Sequence, residues 1–388
     1  MNRIHITYLI SILFFTVNCS YVKNVNLLLS GEIKRKNYIQ KLPFEFKKDI
    51  IIVKARLNAD TTEREFIFDT GAFNSKVELG LANELQLEVI TEKENSTAQG
   101  LSRKIEVVRI DSLQIGETLV NSVGAGKVDY DGNSSSPCLA KDGIIGANII
   151  KLANWKIDYQ EQMLYFSDSP FPKNDKTKVL PFSRPILSGV PSIEIKISGK
   201  TVTNILFDVG FNGGLVLPIN LANQFSEKVE QIILDKSTSG IYGTNADSII
   251  AKKLLVSVAG LQTEMPVEFS SLNKALLGNE FLKHFQVSID NENREIHLEQ
   301  KETVSISKPR DFLLGIANDS TWIVNRTSPK YQLKLGDLIS SVNGKKPIDL
   351  FSSHCDHVMN YRKLADFDSY KLVTVDNRML RIENDESF

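Results

Sequence analysis

Two short stretches hold the residues best suited to chemistry. Asp69-Thr70-Gly71 ends the apolar run Phe66-Ile67-Phe68, and Asp208-Val209-Gly210 ends Leu206-Phe207, 139 positions later. An aspartate at the end of a buried strand is costly unless its carboxylate is hydrogen-bonded or has a chemical task. A neighbouring threonine hydroxyl can lock the turn, and glycine lets backbone N–H groups approach the carboxylate. A single Asp-Thr-Gly reads more readily as a tight turn, since all three residues are turn formers. A pair is different. Two carboxylates held close together cannot both ionise cheaply, so they share a proton and act as one acid–base unit.

The elements that position these residues also recur. Leu42-Pro43-Phe44 returns as Leu180-Pro181-Phe182, Phe73-Asn74 as Phe211-Asn212, and Leu81-Ala82-Asn83 as Leu221-Ala222-Asn223. Further on, Ile144-Ile145-Gly146 returns as Leu276-Leu277-Gly278 and Ile157-Asp158 as Ile289-Asp290. A shared order of this length implies a duplicated domain. Each copy is read as short strands, among them 50–57, 65–68, 105–110, 193–197 and 204–207, with brief helices at 79–87, 146–151, 219–227 and 278–284. Many short strands with little helix predict small barrels or sandwiches, and the Ser-rich stretch 132–137 is expected on the surface.

On these residues, 41–302 resembles a bacterial aspartic protease of the pepsin/retropepsin type. The resemblance implies a mainly β fold of two retropepsin-like barrels forming a bilobal cleft, with Asp69 and Asp208 as the catalytic pair. Thr70, Gly71 and Gly210 would shape the two loops, and Gly146 and Gly278 would support them from beneath. Gly100, Ser102 and Tyr242 are candidates for flap hairpins over the cleft. The ionised carboxylate would activate a water against a peptide carbonyl while its protonated partner donates to the carbonyl oxygen, with no cofactor and no metal. The substrate would be a peptide or protein, and a monomer would be active because both lobes lie on one chain. Val209 stands where the family has a hydroxyl, which leaves the grip between the loops half made at a cost of about 1 kcal/mol. Ala72 also lacks a hydroxyl, which moves the expected activity toward neutral pH. The alternative reading is a catalytically silent peptide-binding lipoprotein that keeps the cleft.

The remaining segments flank the enzyme-like core. The run Lys334-Leu335-Gly336-Asp337-Leu338-Ile339, continuing to Val342-Asn343-Gly344, resembles a bacterial PDZ domain. That resemblance implies capture of a C-terminal peptide along Leu314-Gly315-Ile316, by strand addition. A helix is expected at 349–364 and closing strands at 370–375 and 379–383. The basic start, the apolar stretch 4–17 and Cys19 describe an export signal, with Cys19 the candidate for lipidation and membrane anchoring. The expected organisation is a signal peptide at 1–18, a tether at 19–40, lobes at 41–175 and 176–302, and a PDZ-like domain at 303–388, exported to the cell envelope. With 46 Lys+Arg against 47 Asp+Glu the chain has no electrostatic footprint for nucleic acid. Three cysteines are too few and scattered to predict a disulfide framework or zinc cluster, and His354-Cys355-Asp356-His357 reads as a polar helix face.

Overall fold

β-Branched and aromatic residues alternating in burial make strands of about half of the chain, and the fold is mainly β. The computed structural model describes residues 31–383, apart from 133, 186–188, 366 and 368. The signal segment, Cys19 and most of the tether lie outside the described residues. No helix among those described is long and apolar enough to cross a membrane.

The first half contains β1 (Ile39–Pro43), β2 (Ile50–Leu57), β3 (Arg64–Phe68), β4 (Ser75–Glu78), α1 (Leu79–Glu84), β5 (Glu88–Ser96), β6 (Ser102–Ile115) and β7 (Thr118–Val128). It continues through α2 (Ser136–Leu139), β8 (Gly143–Ile145), α3 (Ala147–Ile150), β9 (Asn154–Asp158) and β10 (Met163–Ser167). Strand β3 pairs antiparallel with β2 and parallel with β8, β8 pairs antiparallel with β4, and β4 runs parallel to β7.

The second half contains β11 (Lys178–Ser183), β12 (Ser192–Ile197), β13 (Lys200–Phe207), β14 (Leu215–Pro218), β15 (Val229–Asp235), β16 (Asp247–Val258) and β17 (Leu261–Ser270). Then come β18 (Ala275–Leu277), α4 (Asn279–Leu282), β19 (Phe285–Asp290) and β20 (Glu295–Gln300). Its pairings follow the same scheme: β13 with β12 and, in parallel, with β18; β18 with β14; β14 parallel to β17. A duplicated sequence thus runs through duplicated pairings. The halves meet in an antiparallel run β1-β10-β9-β19-β20-β11, where Ile157 faces Val287 across the join. One hydrophobic core runs through both halves, from Tyr38 to Leu298.

A third unit follows: β21 (Leu313–Asn318), β22 (Thr321–Thr327), β23 (Leu338–Val342), α5 (Pro347–Leu350), α6 (His354–Asn360), α7 (Arg362–Ala365), β24 (Ser369–Thr374) and β25 (Met379–Glu383). It has a separate core around Trp322, Ile339 and Leu364. It is tied to both halves. Strand β22 pairs with β15, where Arg326 Nε donates to the fully buried Asp235 at 2.7 Å. A disulfide joins Cys138 in α2 to Cys355 in α6.

Several expectations are corrected here. The cysteines do form a disulfide, between residues 217 positions apart that only the tertiary fold brings together. The helix expected at 349–364 is three short ones, because Ser353 caps α6 by accepting from Asp356 N–H. The helix expected at 219–227 is a 3₁₀ segment, Ile219–Gln224. The boundary placed between 40 and 41 falls inside β1, where buried Tyr38, Gln40 and Leu42 alternate with exposed neighbours. Ser134, in the stretch expected on the surface, is buried.

Candidate active site

Strands β3 and β13 deliver the two aspartates. Each aspartate N–H donates at 3.0 Å to the strand running parallel to its own, Asp69 to Ile145 O and Asp208 to Leu277 O. Gly71 and Ala72 N–H both donate to Asp69 Oδ1 at 2.8 Å, and Gly210 N–H donates to Asp208 Oδ1 at 2.9 Å. Each carboxylate lies against the glycine of the other loop. Glycine is obligatory opposite them. A Cβ on Gly71 would lie 2.2 Å from Asp208 Oδ2, and one on Gly210 would lie 2.2 Å from Asp69 Cγ.

The loops are held from below by the residues after β8 and β18. Ala147 N–H donates to Ala72 O and Asn279 N–H to Phe211 O, both at 2.8 Å. Gly146 and Gly278 sit so close to the loop backbones that a Cβ on either would collide with them. Sequence reasoning missed two further supports. Asn148 accepts from Ser75 N–H at 2.7 Å and donates to Gly124 O, and Asn279 Nδ2 donates to Val209 O at 2.6 Å and Asp49 O at 2.7 Å. They escape a repeat search because they follow their glycines at different spacings, in Gly146-Ala147-Asn148 and Gly278-Asn279.

Thr70 is fully buried and bridges the halves. Its Oγ donates to Phe207 O at 2.6 Å and accepts from Val209 N–H at 3.0 Å. Val209, also fully buried, returns no such bond.

The electrostatics are unequal. Burial raises both carboxyls, and the nearby Asp69 charge drives Asp208 well above the usual carboxylate range. Asp69 is held back by the Ala72 and Gly71 N–H groups and by Lys76. The balance favours the proton on Asp208 and the charge on Asp69.

Gly100 and Ser102 sit at the exposed tip of the β5–β6 hairpin, where Gly100 takes the positive φ of +78° that the turn demands. Tyr242, the third flap candidate, is buried. It lies on the turn of a small second-half hairpin, buried against Ile105 and Val128 of the first half, with the Arg103 guanidinium 4.8 Å from its ring centroid. Its hydroxyl accepts from Asn95 Nδ2 at 2.9 Å. The hairpins also exchange apolar contacts. Ile241 packs beside Ile67, Ala72 and Ile144 near the Asp69 loop, and Ala98 beside Leu206, Phe211 and Leu276 near the Asp208 loop. A cavity of about 320 Å³ opens instead between the second half and the third unit, lined by Glu230, Arg310 and Tyr331, away from the aspartates.

Residues 53–149 match the family described as aspartyl protease, a span that includes the Asp69 loop and Gly146. This is an aspartic protease-like domain. No curated protein matches the chain. The match ends before the second aspartate loop, so Asp208 rests on the internal repeat and on the geometry.

In the third unit Leu314, Gly315 and Ile316 lie on β21, with α6 alongside. Leu314 N–H donates to Tyr361 Oη at 3.2 Å, and His357 Nε2 is 3.1 Å from Leu314 O. The outward-facing backbone groups of Leu314 are thus already engaged. Cys355 and His357 of the His-Cys-Asp-His run are occupied by the disulfide and this contact. Asp290, Glu295 and His297 bring ligand-type atoms within 4.8 Å of one another, and Asn293 and Lys173 already occupy the carboxylates.

Proposed function

We propose that the protein is an aspartic endopeptidase whose two lobes, 41–175 and 176–302, contribute Asp69 and Asp208 to one intramolecular cleft. The observation that carries this reading is the placement of each carboxylate against the other loop's glycine. Asp69, charged and fed by two backbone N–H groups, takes the proton of a water placed between the carboxylates. Asp208, protonated, donates to the peptide carbonyl oxygen and supports the tetrahedral intermediate as it forms. The proton then passes to the leaving amine, and no acyl-enzyme arises. The crossed hairpins, with Gly100 and Ser102 at one tip, must part to admit an extended chain.

The third unit, PDZ-like in its sequence, serves on this reading as a brace between the lobes. A peptide joining β21 at Leu314-Gly315-Ile316 would have to displace Tyr361 and His357. Export to the cell envelope, with Cys19 as a lipid anchor, fits the disulfide, since such bonds persist in oxidising compartments. The unreciprocated Val209 favours the second reading, a silent peptide binder. Incubation of the purified monomer with denatured protein and a peptide library across pH 3–8 separates the two. Cleavage is expected, and it should vanish in both Asp69→Asn and Asp208→Asn; binding without cleavage overturns the enzyme.

A further inference from the structure

We propose that Lys76 and Lys93 form a subsite for an acidic side chain of the substrate, on the Asp69 side of the cleft; this rests on reading that cleft as the peptide-hydrolysing site. Lys76 lies in β4 between Ser75, which bonds Asn148, and Val77, which enters the core, so its own side chain leaves on the other face of the strand. There its stem lies over Gly126 of β7, where a Cβ would come within 3.1 Å of the lysine Cδ and 2.7 Å of Ile105 Cδ1. Only 4% of Lys76 is exposed. Its Nζ donates to Asn74 O at 2.9 Å, and Lys93 Nζ, reaching down from β5, bonds Asn74 Oδ1 and lies 5.3 Å from the Phe73 ring centroid. Phe73 and Asn74 belong to the loop that carries Asp69.

Each ammonium has three N–H groups to satisfy. Among the described residues neither has a carboxylate within ion-pair distance, an expensive state for buried cations. Burial and the mutual repulsion of the two lysines push Lys76 down to about 7, and burial pushes Lys93 down to about 8. A carboxylate arriving between them would relieve both.

The duplication argues against a purely structural role. Lys76 is in register with Ile144, and the corresponding strand of the second half sets Val216 against Leu276. Val216 is buried with Leu272 and Leu276, so the same strand position folds well with an apolar side chain. The two halves therefore set unlike side chains at this position, a cation near Asp69 and an apolar group on the Asp208 side. A substrate matching both carries Asp or Glu next to the scissile bond, or one residue removed, on one side, and an apolar residue on the other.

The test uses synthetic peptides that differ only by Glu or Gln at each position flanking a cleaved bond. For the full chain, kcat/KM should favour Glu over Gln roughly tenfold or more at one position, the effect of a charge-assisted hydrogen bond. The ratio should collapse toward one in Lys76→Val, which copies the second half, and in Lys76→Met, and should fall in Lys93→Met. No Glu preference in the wild type, or a preference unchanged in both Lys76 variants, overturns the subsite while leaving the catalytic pair intact. A shifted pH profile with an unchanged ratio does the same, because Lys76 would then only bias Asp69. If the wild type cleaves nothing, fluorescence anisotropy with the same labelled peptides decides. Tighter Glu than Gln binding that depends on Lys76 sustains the subsite and sinks the peptidase, whereas equal binding sinks both.

Discussion

Val209→Thr tests whether the second loop is arranged as the first. Thr70 Oγ makes two bonds across the interface, 2.6 Å to Phe207 O and 3.0 Å from Val209 N–H. By the repeat, a hydroxyl at 209 would meet the counterparts of those groups, Phe68 O and Thr70 N–H. Two neutral hydrogen bonds contribute roughly 1–3 kcal/mol net. Exchanging a buried methyl for a hydroxyl gives back about 1 kcal/mol of apolar transfer and packing. The balance is a gain of about 0–2 kcal/mol, which raises Tm by up to a few degrees in a protein of this size. Thr70→Val should cost about as much as the two bonds contribute. The swapped double variant, Thr70→Val with Val209→Thr, should recover most of that loss, since it moves the half grip from one loop to the other. Scanning calorimetry and kcat/KM on the single and swapped variants check this. A hydroxyl with no partner costs about 1–3 kcal/mol. A lower Tm for Val209→Thr, with no recovery in the swap, would refute the matched arrangement of the loops and weaken the case for Asp208.

Two further perturbations probe different parts of the structure. Asp208 has a folded-state pKa above its unfolded one, so its contribution to stability is full below the unfolded value near pH 4 and is lost as pH rises through the folded value, at up to about 1.4 kcal/mol per pH unit. Asp208→Asn mimics the protonated form and should abolish activity, yet gain stability relative to wild type between pH 4 and 7; melts at both values check it, and an equal offset at both would refute the assignment. The Cys138–Cys355 bond closes a loop of 217 positions, worth up to about 5 kcal/mol on the chain-entropy view. A reductant should therefore lower the wild-type Tm and leave Cys138→Ser/Cys355→Ser unmoved; reaction of both cysteines with a thiol reagent in unreduced, denatured protein would show the bond is absent.

How much of this was legible depended on whether a residue's role is repeated or unique. The two aspartate loops, Gly71 and Gly210, and the supporting Gly146 and Gly278 appear twice in the same order, and a duplicated constraint shows as a duplicated motif. The strands were readable where alternation meets a sheet with one buried face, as at 192–197. Cys138 and Cys355 carry no such signal, because their proximity arises from α2 meeting α6. Tyr242 looked like a hairpin-tip residue, and only the crossing of two hairpins explains why it is buried. Lys76 was overlooked as one lysine among many. Aligning β4 with β14 sets it against Val216, and that comparison was available in the sequence.

The differences between the halves gather where the repeat meets its own copy. Ala72 N–H donates to Asp69 Oδ1, whereas Phe211 N–H, which follows Gly210 as Ala72 follows Gly71, donates at 3.3 Å to the main-chain carbonyl of Asp208. Asp69 Oδ1 thus receives two backbone donors and Asp208 Oδ1 one. Lys76 adds positive charge on the Asp69 side, and Val216 adds none on the other. A symmetric pair would share its proton evenly, with either carboxylate acting as base. Here each asymmetry biases the same way, favouring charge on Asp69 and the proton on Asp208. Within that arrangement Val209 is a tolerable loss. A missing hydrogen bond costs about 1 kcal/mol of cohesion between loops that already share one hydrophobic core, whereas a missing carboxylate would remove half of the acid–base unit.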